Sequence, residues 1–371
     1  MIKNKKILVI TTTDNMIWQF LIPHIQFLQQ YNEVECVCAK TGFWFDELKD
    51  KYNFTMHEIN FARNPIKLRN IKAYKTLCKL QKERKFDLVY SQQPVGGLMG
   101  RLLAKKFKLP CFYTAHGFAF LKGGSRLKNF VFRNVEKHLA KYTDVLITIN
   151  DEDYSACQNW KAKKKYKISG IGVSGNKVSN ALPRDKAREN LGLKDEFVIL
   201  TVSEFTKNKN YPVMLKAVSN LKDKNIKYFI CGTGSEMEDM KKLAHELDLD
   251  NVVQFMGYVK NVPDIMSASD VFLTASHREG LALSVIEAMN FALPIVGSNV
   301  RGVRDLVQEN ENGYLCEKDD VAAFTSALEK LYNDQTLRET LGQKSLEKSK
   351  QYSLENVKSE LEAIYNEFEN D

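Results

Sequence analysis

Apolar positions along this chain fall into two alternating kinds of stretch. One kind is short and dense in Val, Ile, Tyr and Thr; the other is longer, with apolar and charged residues interleaved as in an amphipathic helix. In the first half the short runs are KILVITT, EVECVCA, DLVYSQ, PCFYTA and DVLITI, and residues 66–84 and 126–141 are among the helical stretches between them. Such runs suit strands of a parallel sheet, and their alternation with helices is the βαβ rhythm of a doubly wound fold. The rhythm breaks at KISGIGVSGNKVSNALPRDKAREN, where Gly170, Gly172 and Gly175 precede Pro183 and mark a linker. It restarts with FVILTVSEF, KYFICGTG, VVQFMGY, DVFLTAS and PIVGS, with helices after Pro212 and near Ser235. No low-complexity tract or short repeat intervenes.

A length of 371 residues suits two domains of roughly 150–200 each. The expected architecture is therefore α/β, two Rossmann-like domains facing across a cleft. The expected boundaries are 1–178, 179–350, and a C-terminal helix over 351–371 that packs back on the first domain. Ligands of such sheets bind outside the carboxyl ends of the strands, so candidate chemistry belongs in the residues that follow each strand.

Composition narrows the class. The chain is 44% hydrophobic and 27% charged, an ordinary globular balance. No run approaches the roughly 20 apolar residues of a membrane span. MIKNKKILVITT starts basic, but its apolar run is short and lacks a small-residue cleavage site; it reads as a first strand, and the protein is expected to stay inside the cell. Seven scattered cysteines include no CxxC pair, and Cys36 and Cys38 fit alternate positions of a strand. Buried free thiols in a reducing compartment are expected, not zinc. The net charge of +8 conceals an asymmetry: residues 1–180 carry 31 Lys and Arg against 14 Asp and Glu (+17), the remainder 23 against 32 (−9). The cationic half is the one expected to meet an anionic surface.

The stretch with most candidate chemistry is SHREGLALSVIEAMNFALPIVGSNVRG, residues 276–302. Glu279-Gly280 ends a strand and turn, and residues 284–289 read as helix. The free N–H groups near Leu281, Ala282 and Leu283 then point into the cleft, where a helix N-terminus favours a pyrophosphate. Glu287, one turn inside, suits ribose hydroxyls, and Glu279, at the tip, suits sugar hydroxyls. Two glutamates eight apart also occur on a merely solvated helix, and the spacing alone does not decide.

The surrounding residues 257–315, GYVKNVPDIMSASDVFLTASHREGLALSVIEAMNFALPIVGSNVRGVRDLVQENENGYL, resemble the nucleotide-sugar-binding half of retaining glycosyltransferases of family 4. These have the two-Rossmann GT-B fold and a Glu-x7-Glu motif. The resemblance covers about residues 195–330 strongly and the first half more loosely. It implies that Glu279 holds the donor sugar and Glu287 the ribose. Lys209 in VSEFTKNKNY matches the lysine that meets the donor diphosphate, where a compact cation neutralises departing charge. Gly232 and Gly234 of CGTGSE match a glycine turn next to the nucleotide; Gly280, with Leu281, Ala282 and Leu283 at the helix start, is counted with them as a nucleotide-binding candidate. The same glycines also suit a plain strand-to-helix turn. One departure stands out: Glu204, five residues before Lys209, occupies the position where many members have arginine. Either Lys207 or another base supplies the missing cation, or the phosphate is gripped differently.

In the first half, YTAHGFAFLKGG places His116-Gly117 just after a strand, where the family has a His-Gly expected to meet the donor sugar near the reacting centre. A lone histidine is also often structural. Phe118, Phe120 and Leu121 suit an acceptor lip or core packing equally. In QQPVGGLMGR, Gly96 and Gly97 open a helix and suit close backbone approach to an acceptor. The first loop, TTTDNMIWQF, lacks the paired glycines many relatives carry, which leaves acceptor contacts there unassigned. Asp151-x-Asp153 superficially suits a metal, but Asn150 followed by three acids reads as an N-cap with an acidic first turn. Asp248-x-Asp250 reads as a turn. No metal or cofactor is expected.

The resemblance implies front-face transfer with retention: Glu279 and His116 position the sugar, Lys209 and the helix start stabilise the leaving diphosphate, and that group helps deprotonate the acceptor. NPIKLRNIKAYKTLCKLQKERK, RLLAKKFK and WKAKKKYK mix cations with apolar residues. They suit solvated helix faces, or attachment to anionic lipid headgroups where a lipid-linked glycan is found. No nucleic-acid module is recognisable, and no nucleic-acid partner is expected. Three classes compete. The first is a glycosyltransferase of hexosyl or N-acetylhexosaminyl type, peripheral at the inner face of the cell membrane, moving sugar from a UDP-sugar onto a lipid-linked glycan of a capsule or exopolysaccharide. The second is a UDP-sugar epimerase on the same fold, and the third a non-catalytic nucleotide-sugar-binding protein. The basic first half favours the first over the second; Glu279, Glu287, Lys209 and His116 disfavour the third.

Overall fold

The structure is a computed structural model that describes residues 2–42 and 44–370. The chain divides into two compact units: unit 1 runs to Ile171 and resumes at Glu355, and unit 2 spans Gly172–Leu354. Each is a parallel sheet covered by helices.

Unit 1 holds Lys6–Thr13 (β1), Glu33–Ala39 (β2), Thr55–Glu58 (β3), Leu88–Gln92 (β4), Cys111–Ala115 (β5), Val145–Thr148 (β6) and Lys164–Lys167 (β7). They pair all in parallel in the order β3-β2-β1-β4-β5-β6-β7. The central strands are covered on both faces and so are almost wholly apolar; Ile7, Leu8, Val89 and Phe112 are fully buried. The two edges, TMHE and KKYK, do not have that composition and are absent from the sequence-based strands. Lysine-rich, half-exposed edges are how a sheet avoids pairing with another. Four of the five lysines of WKAKKKYK have protein partners: Lys163 with Asp144 at 2.5 Å, Lys164 with Glu367 at 2.8 Å, Lys165 with the Gln158 carbonyl at 3.0 Å, and Lys167 with Asp151 at 2.5 Å. Most of the charge around this edge strand is therefore partnered within the protein.

Arg69–Arg84, Pro94–Phe107 and Arg126–Leu139 are the crossover helices beside β4 and β5. The first begins three residues later than the sequence pattern predicts, leaving Ile66 and Leu68 in an exposed turn. The last helix, Leu354–Glu369, lays Tyr365 and Phe368 against Phe112, with Phe368 4.8 Å from that ring, and its Glu360 accepts from the Ser169 N–H at 2.7 Å.

Unit 2 holds Phe197–Val202 (β8), Ile226–Cys231 (β9), Val253–Gly257 (β10), Val271–Thr274 (β11), Ile295–Ser298 (β12) and Gly313–Cys316 (β13), in the order β10-β9-β8-β11-β12-β13. One face buries Tyr211, Leu215, Tyr228 and Phe324; the other buries Val198, Phe229, Ile286 and Met289. The chain passes between the units at Ile171–Gly172 and again at Leu354–Glu355. Gly172 is required there: its φ is +78°, and a Cβ would lie 2.7 Å from the Cα of Leu354.

In each sheet the strand order reverses once, between β1 and β4 in unit 1 and between β8 and β11 in unit 2. The loops leaving those strands diverge and open a crevice. All seven cysteines are buried and free, and burial pushes the Cys36 and Cys111 thiols up to about 12.

Candidate active site

In unit 2, β8 leads through the turn Lys207–Lys209 into the helix Tyr211–Ser219, and β11 leads through His277–Ala282 into the helix Leu283–Asn290. These loops flank the switch point and are bonded to each other. The His277 N–H donates to the Asn208 carbonyl at 2.7 Å, and Asn208 Nδ2 donates to the Arg278 carbonyl at 3.0 Å. Across this brace Lys209 Nζ meets Glu279 Oε1 at 2.6 Å, both side chains largely sheltered. A cation and a carboxylate are thus fixed side by side at the crevice, where Coulomb interactions exceed those in open water.

Behind Glu279 stands Arg301, in the loop after β12 and 6% exposed, with Nε donating to the Glu279 carbonyl at 3.1 Å. Glu204 and Lys207 are exposed. Arg301 is thus a second cation beside the Glu279 loop, and Lys207 is a third at the surface. Sequence reasoning quoted SNVRG but gave its arginine no role; the available signal was a basic residue leaving the strand next to β11.

Gly280, Leu281, Ala282 and Leu283 run into the Leu283–Asn290 helix, whose N-cap, Ala282, offers no side-chain acceptor. Its amino end is left to a ligand or solvent. Glu287, half-buried in that helix, is ion-paired with Lys177. Gly232 and Gly234 bring the β9 loop against the β8 loop. A Cβ on Gly232 would lie 1.9 Å from the Ser203 carbonyl oxygen, and one on Gly234 2.4 Å from that of Phe205. These glycines are needed for backbone packing that holds the Lys209 loop. Two roomier cavities of about 430 and 540 Å³ open around Arg184 and Asp270, at the amino-terminal edge of this sheet, away from the loops just described.

In unit 1 the crevice between β1 and β4 is lined mainly by neutral groups. The Thr12 N–H donates to Gln93 Oε1 at 3.0 Å, and a cavity of about 240 Å³ is bordered by Thr12, Thr13, Asn15, Gln93 and the single cation Arg63. His116, half-buried after β5, shares a 2.7 Å hydrogen bond between Nε2 and Gln92 Oε1. Burial, helped by nearby His24, holds its pKa down at about 3, so the ring is neutral near pH 7. It donates through Nε2 to Gln92 and leaves Nδ1 as an acceptor.

The expected approach of an acceptor to Gly96 and Gly97 is corrected. Gly96 and Gly97 are buried against the protein itself, where a Cβ would come 3.0 Å from the Ile10 carbonyl and 2.3 Å from the Tyr113 ring respectively. They seat the helix on its sheet and are not open to an acceptor. Phe118 and Phe120 stack 5.0 Å apart and pack on Trp160, so they belong to the core. Asn150 caps its helix through the Asp153 N–H, and the Asp153 carboxylate accepts from the Phe118 N–H at 3.0 Å, bracing the turn after His116. Asp151 pairs with Lys167, and Asp248 with Lys222.

Residues 183–348 match the model of "Glycosyl transferases group 1", and residues 34–165 that of "Glycosyl transferase 4-like domain". EpsD of Bacillus subtilis (strain 168), a glycosyltransferase by name, is 30% identical over 98% of this chain and 97% of its own. The Escherichia coli UDP-Gal:alpha-D-GlcNAc-diphosphoundecaprenol alpha-1,3-galactosyltransferase is 30% identical over 85% of this chain and 83% of its own. The capsular polysaccharide biosynthesis glycosyltransferase CapM of Staphylococcus aureus is 29% identical over 99% and 98%. Among solved structures, sucrose-phosphate synthase of Thermosynechococcus elongatus superposes with a TM-score of 0.84 at 19% identity, over 98% of this chain and 99% of that one. The expected fold class, two Rossmann-like α/β domains of GT-B type, is the one these chains share.

Proposed function

The chain belongs to the group 1 glycosyl transferases, and from that premise we propose that it moves a hexosyl or N-acetylhexosaminyl group from a UDP-sugar, with retention, onto a lipid-linked glycan. Glycosyl transfer in polysaccharide biosynthesis is its broad activity. The observation that carries the finer reading is the Lys209–Glu279 pair set across the switch point, next to an uncapped helix start. The named donor and acceptor of the Escherichia coli relative support UDP and a lipid diphosphate.

In this reading the diphosphate lies against the Leu283–Asn290 amino end and Lys209, and Glu287 exchanges Lys177 for ribose hydroxyls. Glu279 accepts from the sugar hydroxyls while keeping Lys209 in place, and Arg301 fixes the Glu279 backbone. The bond from the anomeric carbon to the diphosphate breaks, a bond to the acceptor oxygen forms on the same face, and the acceptor proton passes to the departing phosphate oxygen. Lys209 stabilises the charge that accumulates there. His116, neutral, offers Nδ1 to a sugar hydroxyl. No metal is assigned: Lys209 and the helix end provide the counter-charge.

The decisive experiment incubates the protein with UDP-glucose, UDP-galactose or UDP-N-acetylglucosamine and lipid-diphosphate saccharides, with and without EDTA. Mass spectrometry and NMR then read the product and its anomer. The expected result is an acceptor-dependent gain of one sugar, α-linked and insensitive to EDTA. An inverted anomer, loss of activity with chelator, or conversion of the UDP-sugar without any acceptor would overturn the corresponding part of the reading.

A further inference from the structure

The Arg126–Leu139 helix of unit 1 has the wrong residues facing outward for a soluble surface. Its inward face is complete: Phe132, Glu136 and Leu139, spaced i, i+4, i+7, are buried or packed on the core. Glu136 pairs with the buried Arg101 at 2.7 Å, and Arg101 also lies 3.9 Å over the Tyr113 ring, which locks the helix's rotation. The opposite stripe is apolar as well. Leu127, Phe130, Val131 and Val135 are spaced i, i+3, i+4, i+8 and are 74%, 69%, 47% and 43% exposed. Arg126, Lys128, Arg133 and Lys137 are exposed around them, and the helix's one acid is the inward Glu136.

A second patch in the same unit has the same make-up. Ile66, Leu68 and Ile71 are 85%, 78% and 55% exposed, with Lys67, Arg69 and Lys72 among them, just before and within the first turn of Arg69–Arg84. That helix packs on Pro94–Phe107, which in turn packs on Arg126–Leu139. Crossover helices of a parallel sheet run opposite to its strands, so their amino ends lie at the strand carboxyl edge. Both patches therefore lie toward the edge that carries the Thr12–Gln93 crevice. Residues 88–135 contain no Asp or Glu at all, so no acid in that segment opposes an anionic partner.

We propose that unit 1 docks on an anionic bilayer through this outward stripe, with Leu127, Phe130 and Val131 entering the headgroup boundary and the surrounding cations engaging lipid phosphates. A helix with apolar residues flanked by Lys and Arg lies in the interface plane and does not span it; among the described residues no helix is long and apolar enough to cross. The Ile66–Ile71 turn is a second point of contact, and two points fix which edge of the unit faces the lipid. This rests on the lipid-linked acceptor reading for its purpose, because it brings the unit 1 crevice to the surface where such an acceptor resides. It adds insertion of apolar side chains to the charge attraction expected of the basic segments, and places the first contact on this helix and not on WKAKKKYK.

The test is flotation without donor or acceptor, so its outcome is independent of whether the transfer reading holds. Vesicles of phosphatidylcholine alone, or with phosphatidylglycerol, are used at 0.1 M and 1 M NaCl. The protein should bind the anionic vesicles at low salt and be released only in part at high salt, where charges are screened beyond roughly 3 Å. The double variant Leu127→Asp/Phe130→Asp should lose about tenfold or more of its partitioning at both salts. Its thermal midpoint should be unchanged, since both side chains are exposed. Phe130→Trp should gain emission that brominated lipid quenches. Binding by the double variant equal to that of the parent, or complete release by salt, would overturn the insertion. So would a dimer that the double variant dissociates together with no binding to vesicles, which would assign the stripe to a second copy of the chain.

Discussion

At the β8/β11 crevice of unit 2 each motif carboxylate already holds a cation, Lys209 on Glu279 and Lys177 on Glu287. At the β1/β4 crevice of unit 1, by contrast, Thr12 and Gln93 bond to each other, and nearby Gln92 bonds to a neutral His116. The topology is the same and the chemistry is opposite. On the proposed reading, a nucleoside diphosphate brings charge that is met by charge, and in unit 2 this would happen by exchange of partners. A sugar brings hydroxyls, which neutral amides, hydroxyls and imidazole can bond without paying for a buried ion. The contrast suits charge stabilisation in unit 2 and hydroxyl recognition in unit 1.

The largest expected effect breaks the pair in unit 2. Lys209→Met removes the cation that the proposed reading sets at the leaving group, and leaves Glu279 sheltered without its partner. Turnover should fall about 10²–10³-fold, the usual cost of losing one group that stabilises developing charge. Glu279→Gln should also lower turnover while leaving UDP affinity within about threefold, because a nucleotide lacks the sugar it contacts. His116→Asn should cost less than Lys209→Met. Steady-state kinetics on the three variants, with calorimetry for UDP, rank them; a larger loss at His116 would reverse the assignment of roles.

Next is the backbone beneath that pair. Gly232→Ala forces a Cβ to within 1.9 Å of the Ser203 carbonyl oxygen, so one loop must move. Overpacking with backbone displacement costs about 1–3 kcal/mol and sometimes more. A drop of this size in urea stability, accompanied by weaker UDP binding, is expected. An unchanged midpoint would mean that the loop is free to shift and that Lys209 is not held as described.

How much of this could be read from residues alone depends on what each records. Strands buried on both faces record it in their composition, and KILVITT, EVECVCA, FVILTV and DVFLT stand where the apolar runs put them. The edge strands TMHE and KKYK were not legible, because an edge is selected for solubility as much as for pairing; GYLC, though buried, is four residues that open on a glycine after a polar stretch. Glu279 was legible as an acid at the end of a strand and turn, and Lys209 only through the resemblance of VSEFTKNKNY to the family. Arg301 and Lys177 were not: nothing local ties Arg301 to a residue 22 positions away or Lys177 to one 110 positions away. The outward stripe of Arg126–Leu139 escaped for the same reason, since a periodic pattern shows that an apolar stripe exists but not which face meets the core.

A smaller effect separates the two acids of unit 2. Glu287→Gln should weaken UDP binding by about 1.5–3 kcal/mol, the worth of a hydrogen bond to a charged acceptor. Lys177→Ala should change it by no more than about fivefold and toward tighter binding, since a largely exposed ion pair contributes about 0–1 kcal/mol and here competes with the ribose. Calorimetry distinguishes these; a Lys177→Ala variant that binds UDP much more weakly would make Lys177 a phosphate ligand and not a placeholder.

The smallest effect concerns acid, and it should fall on unit 1. His116 is held down at about 3, and burial also lowers His24, which donates through Nε2 to the Ile171 carbonyl at 2.7 Å and lies near Lys358. Between about pH 6.5 and 3 the unfolded chain binds a proton at His116 that the folded chain does not. Stability from this site is therefore fully present above about pH 6.5 and is lost as the pH falls. Glu35, lowered to about 2 despite its own burial by Arg84, His57 and Lys6, adds a similar loss only below about pH 4.5. The window from pH 7 to 5 thus isolates the histidines. His116→Gln keeps a polar group beside Gln92 but cannot titrate. It should lose less stability than the parent between pH 7 and pH 5, by about 1 kcal/mol after allowing for partial solvent access. Urea midpoints at pH 7, 6 and 5 measure it, and hydrogen exchange should show β4 and β5 opening before β8 and β11. Equal losses in parent and variant, or earlier opening in unit 2, would remove the neutral histidine from the comparison and leave His116 free to carry charge.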